Sequence, residues 1–371
     1  MRPVLAFLRQ RGIICSAYLD DFIIITKSKN ECRNNIKDVK NLLHKLGFTL
    51  NLEKSDLLPK QKITHLGFEL NSLKMTIRLP EKRIENILSR LTVFRQKRKC
   101  KIRDFAKIIG ILIATKPAVK YGWLHLKNME RKKYIALSQN QGNYNADMII
   151  PDYLQQEFLW WLENIKNSSK NIREKSYSME MFSDASKTGW GATSEGKIAH
   201  GFWNATEHKY HINYLELLAA FYALKSLAKH KSDVNILLRI DNVTAIANIN
   251  KMGSVRYRKL NEISRNIWDW CENRNIFIHA SYISSSDNKI ADMESRKGNS
   301  SIEFELPEQN YQLILQNFGI PSIDLFASYQ NKKCNRFVSR YPDPESQNVD
   351  AFTLNWSQEY FLCLSAFHFS R

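Results

Sequence analysis

The order of the predicted strands and helices between residues 179 and 297 constrains the fold of this chain more than any other feature. Three β-rich segments with glycine-containing turns precede a long helical segment, and two further β-rich segments follow, interleaved with shorter helices. The predicted strands span residues 179–185, 189–194, 197–203, 235–240 and 276–283, and the predicted helices span residues 214–230, 243–251 and 259–272 and begin again near residue 289. This order predicts a mixed five-stranded β-sheet flanked by helices.

Four acidic residues fall where this topology can bring them together. Asp184 lies near the end of the first predicted strand, and Glu216 lies in the first turn of the long helix. Asp241 ends the fourth strand, and Asp292 begins the last helix. Taken singly, each is more often an exposed charge or a helix cap. Strands disfavour aspartate, however, and burial penalises an unpaired charge, so the set of four indicates a shared function.

Divalent cations are the partners that such a cluster of carboxylates requires. Hard oxygen ligands suit Mg²⁺ or Mn²⁺. Two such ions, roughly 3.5–4 Å apart, catalyse in-line displacement at a phosphodiester. We therefore expect a two-metal site held by the residues at the ends of these strands and helices.

Positive charge is concentrated in the first third of the chain. Residues 1–140 contain 30 Lys and Arg against 11 Asp and Glu, a net charge of +19, whereas residues 141–371 have a net charge of −1. Such a block favours a polyanionic partner, because Lys and Arg contacts to phosphates release counterions. A solvated basic surface and an anionic membrane surface are the alternatives.

Several classes of protein are disfavoured by the sequence. The six cysteines lie at least seventeen residues apart, which argues against zinc fingers and disulfide scaffolds. The longest apolar run, Ile108–Ala114, is far shorter than a membrane span, and no secretory signal is visible. We expect an intracellular protein without a membrane partner, with cytoplasm and nucleus both open.

Two β-rich runs near the start of the chain surround a pair of carboxylates. Residues 13–19 and 22–26 flank Asp20 and Asp21, a pattern that predicts a hairpin. A plain surface turn is the alternative. Beyond the hairpin we predict a helix over residues 31–46 and strands over residues 49–52, 64–70 and 74–79.

A helix beginning at Pro80 has an apolar face and several cations elsewhere on its surface. The apolar stripe predicts packing against a core. Given the charge excess, we expect the cations to contact nucleic acid rather than only solvent. The candidate nucleic-acid-binding residues are Lys82, Arg83, Arg90, Lys97 and Arg98.

The region 179–297 resembles the ribonuclease H family, particularly the versions found in reverse transcriptases of DIRS-like retrotransposons. Asp184, Glu216, Asp241 and Asp292 match the family's acidic set, and Gly189–Ala192 follows the first of them. The resemblance implies cleavage of the RNA strand of an RNA–DNA hybrid, with two Mg²⁺ or Mn²⁺ ions held by these four residues and the sugar recognised through its 2′-hydroxyl. The family's loop histidine is absent from residues 284–288, which predicts slower product release.

The first segment is similar to reverse transcriptases. Tyr18, Asp20 and Asp21 match the family's hairpin motif, residues 64–68 its primer-grip region, and residues 80–98 its first thumb helix. The resemblance implies that Asp20 binds metal beside a template–primer. It also implies a further metal-binding aspartate and nucleotide-gripping fingers upstream. We therefore expect that this chain cannot extend a primer unaided, and that a longer polyprotein or a second chain supplies the missing parts.

The expected organisation is multidomain, with α/β and α+β parts. It comprises a partial palm (1–79), a basic helical thumb or connection (80–145), a linker with a helix (146–178), a ribonuclease H-like domain (179–297) and an accessory segment (298–371). In the last segment, residues 324–328 and 341–344 resemble stretches that follow the ribonuclease H unit in DIRS-like elements. We interpret Asp324, Asp343 and Asp350 as capping and turn residues rather than a second metal site.

Two functions are consistent with this sequence. The leading hypothesis is a metal-dependent endoribonuclease acting on RNA–DNA hybrids, joined to an incomplete reverse transcriptase. The alternative is a non-catalytic nucleic-acid-binding protein, either a remnant or a repurposed retroelement product. Mg²⁺-dependent cleavage of a hybrid distinguishes them.

Overall fold

The computed structural model describes residues 1–172, 176–297 and 305–364. The chain divides into two compact units. The first comprises Met1–Leu126 and Gln139–Glu174, and the second comprises Lys127–Ser138 and Lys175–Arg371. Within the described ranges, no helix is both long enough and apolar enough to cross a bilayer.

The elements up to residue 172 are α-helices of 9 to 17 residues and short β-strands. In chain order they are α1 (Arg2–Gln10), β1 (Ile14–Tyr18), β2 (Asp21–Ile25), α2 (Lys29–Lys45), β3 (Lys62–His65), β4 (Phe68–Asn71), β5 (Thr76–Arg78), α3 (Glu81–Arg95), β6 (Lys99–Lys101), α4 (Ile102–Ile113), α5 (Lys127–Gln139), β7 (Asp147–Ile149), α6 (Gln155–Asn164) and β8 (Ser169–Asn171).

From residue 176 onward, the chain forms the second set of elements. They are β9 (Met179–Ala185), β10 (Gly189–Ser194), β11 (Lys197–Phe202), α7 (Ile212–Leu227), β12 (Asn235–Ile240), α8 (Val243–Asn250), α9 (Arg258–Glu272), β13 (Phe277–Tyr282), α10 (Lys289–Ser295), α11 (Glu308–Phe318), β14 (Ile323–Asp324), β15 (Val338–Ser339), β16 (Asn348–Val349) and β17 (Phe361–Leu362).

The predicted N-terminal hairpin is confirmed. Strands β1 and β2 pair antiparallel, with Tyr18 opposite Asp21 and a two-residue turn between them. Helices α1 and α2 cover one side of the hairpin around a small core that includes Leu8, Cys15 and Leu43. Ser28 caps α2 by accepting a hydrogen bond from the Glu31 amide, as expected for a serine at a helix start.

Two predicted strands of the first unit are wrong. Residues 49–52 form no strand, because the Asn51 side chain and carbonyl accept local hydrogen bonds from Lys54 and Ser55. Residues 64–70 do not form one strand, since Leu66 and Gly67 adopt positive φ and turn the chain between β3 and β4. The resulting sheet has the antiparallel order β3-β4-β5-β8.

The five-stranded mixed sheet predicted for the second unit is confirmed. Its order is β11-β10-β9-β12-β13; the first three strands are antiparallel neighbours, and β9, β12 and β13 run parallel. Trp190 contacts Tyr222 of α7, whereas Gly191, the next residue on β10, faces α10. Since successive strand residues point to opposite faces, the sheet carries helices on both sides, as expected for its fold class.

Gly191 permits the close approach of α10 to the sheet. A Cβ atom at this position would lie 2.3 Å from the Ala291 carbonyl oxygen and 2.6 Å from the Ser295 nitrogen. No side chain fits at such distances, so the position requires glycine. Trp190 therefore fills the face of β10 toward α7, and Gly191 leaves room on the other face for α10.

The segment 305–364 forms a small module beside α7. Its core contains Ile323, Leu325, Val338 and Ala351, and Lys225 of α7 forms an ion pair with Glu345.

Of the three aspartates of this module, Asp350 caps a short helical turn, as we expected, whereas Asp324 lies in β14 and Asp343 binds a distant amide. Their carboxylates accept hydrogen bonds from backbone amides: Asp324 from Lys333, Asp343 from Tyr329, and Asp350 from Phe352.

Candidate metal centre

Asp184 and Asp241 reach the same edge of the sheet because β9 and β12 are parallel neighbours. Asp184 lies within β9 and is 5% exposed, and Asp241 directly follows β12. The carboxyl ends of adjacent parallel strands meet at one edge, which brings these two carboxylates close together.

Glu216 approaches the same place from α7. This helix begins at Ile212, with His211 accepting a hydrogen bond from the Asn213 amide as its cap. Apolar residues surround Glu216 on the helix, and its side chain is 4% exposed. Its Oε2 atom is buried and has no hydrogen-bond partner among the described residues. An orphaned carboxylate oxygen of this kind fits a cation ligand.

The three carboxylates form one cluster. Each of Asp184, Glu216 and Asp241 offers a ligand oxygen, and these oxygens all lie within 4.8 Å of one another. In the part of the chain that the structure describes, no other group of three or more acidic, histidine or cysteine side chains could hold a metal ion. The donor set consists only of carboxylate oxygens, which suits Mg²⁺ or Mn²⁺.

Burial and mutual repulsion raise the pKa values of two carboxylates in the cluster, which is what a cation site without its cation would show. Burial, with a further contribution from the neighbouring Asp184 and Asp241, raises the pKa of Glu216 to about 9. Burial also raises the pKa of Asp184; the hydrogen bond from Ser295 acts in the opposite direction, and the charges of Asp241 and Asp292 add to the increase. A divalent cation bound here would offset these repulsions and favour the ionised forms.

Asp292 lies near this cluster but outside the three-carboxylate group. It is in the first turn of α10, where its Oδ1 accepts hydrogen bonds from Arg296 Nε at 2.9 Å and Nη2 at 2.6 Å. Its charge nevertheless contributes to the raised pKa of Asp184. The structure thus brings together three of the four candidate residues and pairs the fourth with an arginine.

Two serines contact the cluster, and the sequence analysis did not identify them. Ser295 Oγ donates to Asp184 Oδ2 at 2.7 Å, and Ser285 Oγ donates to Asp241 Oδ2 at 2.6 Å. Ser295 lies three residues after Asp292, a helical spacing that places both on nearby parts of α10. Ser285 lies in the loop before α10 and carries no local signal of its contact.

The hairpin carboxylates have a different environment. Tyr18 is 64% exposed, and Asp20 and Asp21 are also exposed, at the turn and at the start of β2. Leu19 holds the turn with a φ of 51°, an uncommon conformation for a branched residue. Within the described residues, the structure does not bring Asp20 into any group of three metal-ligating side chains.

The candidate nucleic-acid-binding cations of the first unit fall into two groups. Arg83 is half-buried and donates to the carbonyls of Gly67 at 2.9 Å and Ala114 at 3.2 Å, so it stabilises the unit itself. Lys82, the preceding residue on the helix, is exposed. The other three are exposed and make surface contacts: Arg90 with Asn86, Lys97 with the Phe94 ring, and Arg98 with Asp152.

Comparison with known proteins gives one family match. The model of the reverse transcriptase (RNA-dependent DNA polymerase) family matches residues 1–70. A search of curated proteins finds no significant match. The narrower resemblance to DIRS-like elements stays a prediction.

Solved structures with detectable similarity include two of foamy viral protease-reverse transcriptase. The complex with an RNA/DNA hybrid has a TM-score of 0.41 and 15% identity, over 82% of this chain and 40% of that one. The complex with dsDNA has a TM-score of 0.39 and 17% identity, over 75% of this chain and 56% of that one. This chain therefore spans about half the length of those proteins.

A third structure, RNase H1 from Halobacterium salinarum NRC-1, has a TM-score of 0.26 and 20% identity, over 31% of this chain and 92% of that one. The family match at residues 1–70 covers the segment that contains the Tyr18–Asp21 hairpin, and the carboxylate cluster lies in the other unit.

Proposed function

We propose that the second unit is a metal-dependent endoribonuclease that cleaves the RNA strand of RNA–DNA hybrids. The observation that carries this proposal is the convergence of Asp184, Glu216 and Asp241 from three separate elements to within 4.8 Å. Burying several ionised carboxylates at one point is costly unless cations neutralise them, which favours a metal site here.

The four acidic residues have distinct positions in this proposal. Asp184 and Asp241 hold the metal ions, and Glu216 and Asp292 complete their coordination. Divalent ions, when bound at such a site, lower the pKa of the attacking water and stabilise the leaving oxygen. Ser295 and Ser285 orient Asp184 and Asp241 through their hydrogen bonds. Arg296 donates two hydrogen bonds to Asp292 and so holds its carboxylate in place near the cluster.

An RNA–DNA hybrid is the proposed substrate for two reasons. The region 179–297 resembles ribonucleases H in its acidic residues, and the first third of the chain has a net charge of +19. Such a charge favours binding to a nucleic acid without sequence preference. Recognition of the 2′-hydroxyl would restrict cleavage to the RNA strand.

The first unit is proposed to be part of a reverse transcriptase that cannot extend a primer alone. The family match at residues 1–70 and the two exposed hairpin carboxylates support this view. We propose a partial palm over 1–79 and a thumb or connection over 80–145, followed by the linker, the nuclease domain and the accessory segment with the boundaries given above. Template-dependent incorporation of nucleotides by the purified chain would contradict this proposal.

A cleavage assay tests the nuclease activity. The full chain is incubated with an end-labelled RNA–DNA hybrid in Mg²⁺ or in EDTA, with single-stranded RNA and double-stranded DNA as control substrates. We expect cleavage of the hybrid in Mg²⁺ only, and a loss of more than about 100-fold in Asp241→Asn. Asp233→Asn, a matched change outside the cluster in the same unit, should retain activity. Binding of the hybrid without cleavage would instead support the non-catalytic alternative.

A further inference from the structure

A polar groove lies on one face of the four-stranded sheet of the first unit. Its volume is about 350 Å³, and its walls include Lys62, Glu69, Lys74, Arg78 and Lys166. This volume is at the small end of the range for ligand sites, large enough for one nucleotide-sized segment rather than a whole duplex. The groove contains none of the cations on α3.

The strand register explains why this face is polar. Glu69 pairs with Arg78, which in turn pairs with Ser169. Lys62 pairs with Asn71, and Asn71 with Thr76. Paired residues share a face of a sheet, as do residues two apart on one strand, so all of these side chains lie on the groove side. The alternating apolar residues Ile63, Leu70 and Ile77 lie on the other face.

Positive charge is in excess inside the groove. Glu69 is 16% exposed and forms ion pairs with Lys62 at 3.0 Å and with Arg78 at 3.3 Å. Arg78 also lies 3.4 Å from Glu81 at the start of α3.

Two further lysines of the groove have no such partner. In the described ranges, neither Lys74 nor Lys166 forms an ion pair, and both are exposed. Four cations therefore surround a single lining carboxylate, which itself orients two of them.

We propose that this groove binds the phosphodiester backbone of a nucleic acid. Lys74 and Lys166 contact the phosphates directly, and Glu69 holds Lys62 and Arg78 in place beside them. Charge complementarity selects this occupant: the residues that line the groove all have polar or charged side chains, and cations outnumber the single carboxylate. The choice of an RNA–DNA hybrid as the ligand rests on the proposed function, whereas the location of the groove does not.

The test compares two double variants of the full chain that remove the same charge. Lys74→Gln with Lys166→Gln alters the groove, and Lys45→Gln with Lys54→Gln alters exposed lysines elsewhere in the same unit. Binding of a fluorescent RNA–DNA hybrid is followed by anisotropy in EDTA, which prevents cleavage, over a series of KCl concentrations. We expect the groove variant to lose about 10-fold in affinity at low salt and to reduce the salt slope by about 2. The control variant should change much less in both quantities.

Each outcome decides between interpretations. Equal effects in the two double variants would show diffuse electrostatics and overturn the groove proposal. If 10 mM inorganic phosphate raises the melting temperature of the wild type but not of the groove variant, while both bind the hybrid equally, the groove is a small-anion site and the proposal is also wrong.

The nuclease proposal is tested independently of the groove proposal. A wild type that binds the hybrid but never cleaves it in Mg²⁺ contradicts the proposed function, while the difference between the two double variants still measures the groove. Cross-linking of a 4-thiouridine-containing hybrid, with the modified peptides identified by mass spectrometry, provides a second measurement. We expect peptides containing Lys74 or Lys166, and their absence alongside abundant cross-links elsewhere in the unit would contradict the proposal.

Discussion

Ser295 Oγ donates a 2.7 Å hydrogen bond to Asp184 Oδ2, so the helix that carries Asp292 also orients the buried carboxylate of β9. The two residues are 111 positions apart in the chain. Because Gly191 lets α10 approach β10 closely, this contact depends on the packing of one helix against the sheet. The geometry of the candidate metal centre is therefore coupled to the position of α10.

Removal of the serine hydroxyl should weaken the metal site. Ser295→Ala deletes a hydrogen bond that favours the ionised form of Asp184, so the pKa of Asp184 rises further and its carboxylate is less well oriented. We expect the Mg²⁺ affinity, measured by calorimetry on the full chain, to fall by about 10-fold. Ser264→Ala removes a buried hydroxyl of α9 outside the site and should leave the affinity unchanged.

The raised pKa of Glu216 predicts a pH dependence of stability in the metal-free protein. Its pKa is about 9 in the folded chain against 4.5 for an ordinary glutamate. Between these values the folded chain retains a proton that the unfolded chain has released, so stability decreases as pH rises through this window. Thermal unfolding in EDTA should show a falling midpoint from pH 5 to pH 9, and Glu216→Gln should flatten the decrease.

Magnesium should reverse this trend. Because the ion binds the ionised carboxylate, we expect binding to release a proton and the apparent Mg²⁺ affinity to increase with pH. Calorimetry in two buffers of different ionisation enthalpy measures the proton release. A midpoint that is independent of pH in EDTA, or Mg²⁺ binding without proton release, would show that Glu216 is already ionised in the folded chain.

Substitution of Gly191 should separate α10 from the sheet. In Gly191→Ala, the added Cβ would lie 2.3 Å from the Ala291 carbonyl, so the helix must move. We expect a loss of about 1–3 kcal/mol in stability, together with a larger loss of hybrid cleavage, because Asp292 and Ser295 move with the helix. Gly110→Ala, in α4, meets open space and should be neutral or slightly stabilising. Full cleavage activity in Gly191→Ala would show that hybrid cleavage does not depend on the position of α10.

Arg83 and Lys82 should have opposite roles although they are adjacent. Arg83→Ala removes the donor to the Gly67 and Ala114 carbonyls, which water can then reach, so we expect stability to fall by about 0.5–1.5 kcal/mol. Lys82→Ala should leave stability unchanged and weaken binding of the hybrid slightly. Denaturant unfolding and hybrid binding in EDTA, measured on both variants, check this. A stable Arg83→Ala chain with impaired binding would instead assign Arg83 to the nucleic-acid surface.

The sequence predicted the second unit better than the first. The alternation of β9–β11 and the buried helix α7 produce strong periodic patterns, and the observed bounds lie within a few residues of the predicted ones. In the first unit, Leu66 and Gly67 break a run that appears as one strand, because the turn depends on backbone angles that the apolar pattern does not reveal. Helix α1 was not predicted because it is short. Its amphipathic side packs against the hairpin and forms a small core with it.

For residues 179–297, the sequence by itself determined the order of elements, the mixed five-stranded sheet and the positions of acidic residues at the ends of strands and helices. These follow from local periodicity and from the cost of burying charge, both of which act over a few residues. The tertiary structure decided which oxygens meet: it grouped Asp184, Glu216 and Asp241, paired Asp292 with Arg296, and placed Ser295 on Asp184. Such contacts depend on how closely distant elements pack, and the absence of a side chain at Gly191 sets that distance for α10.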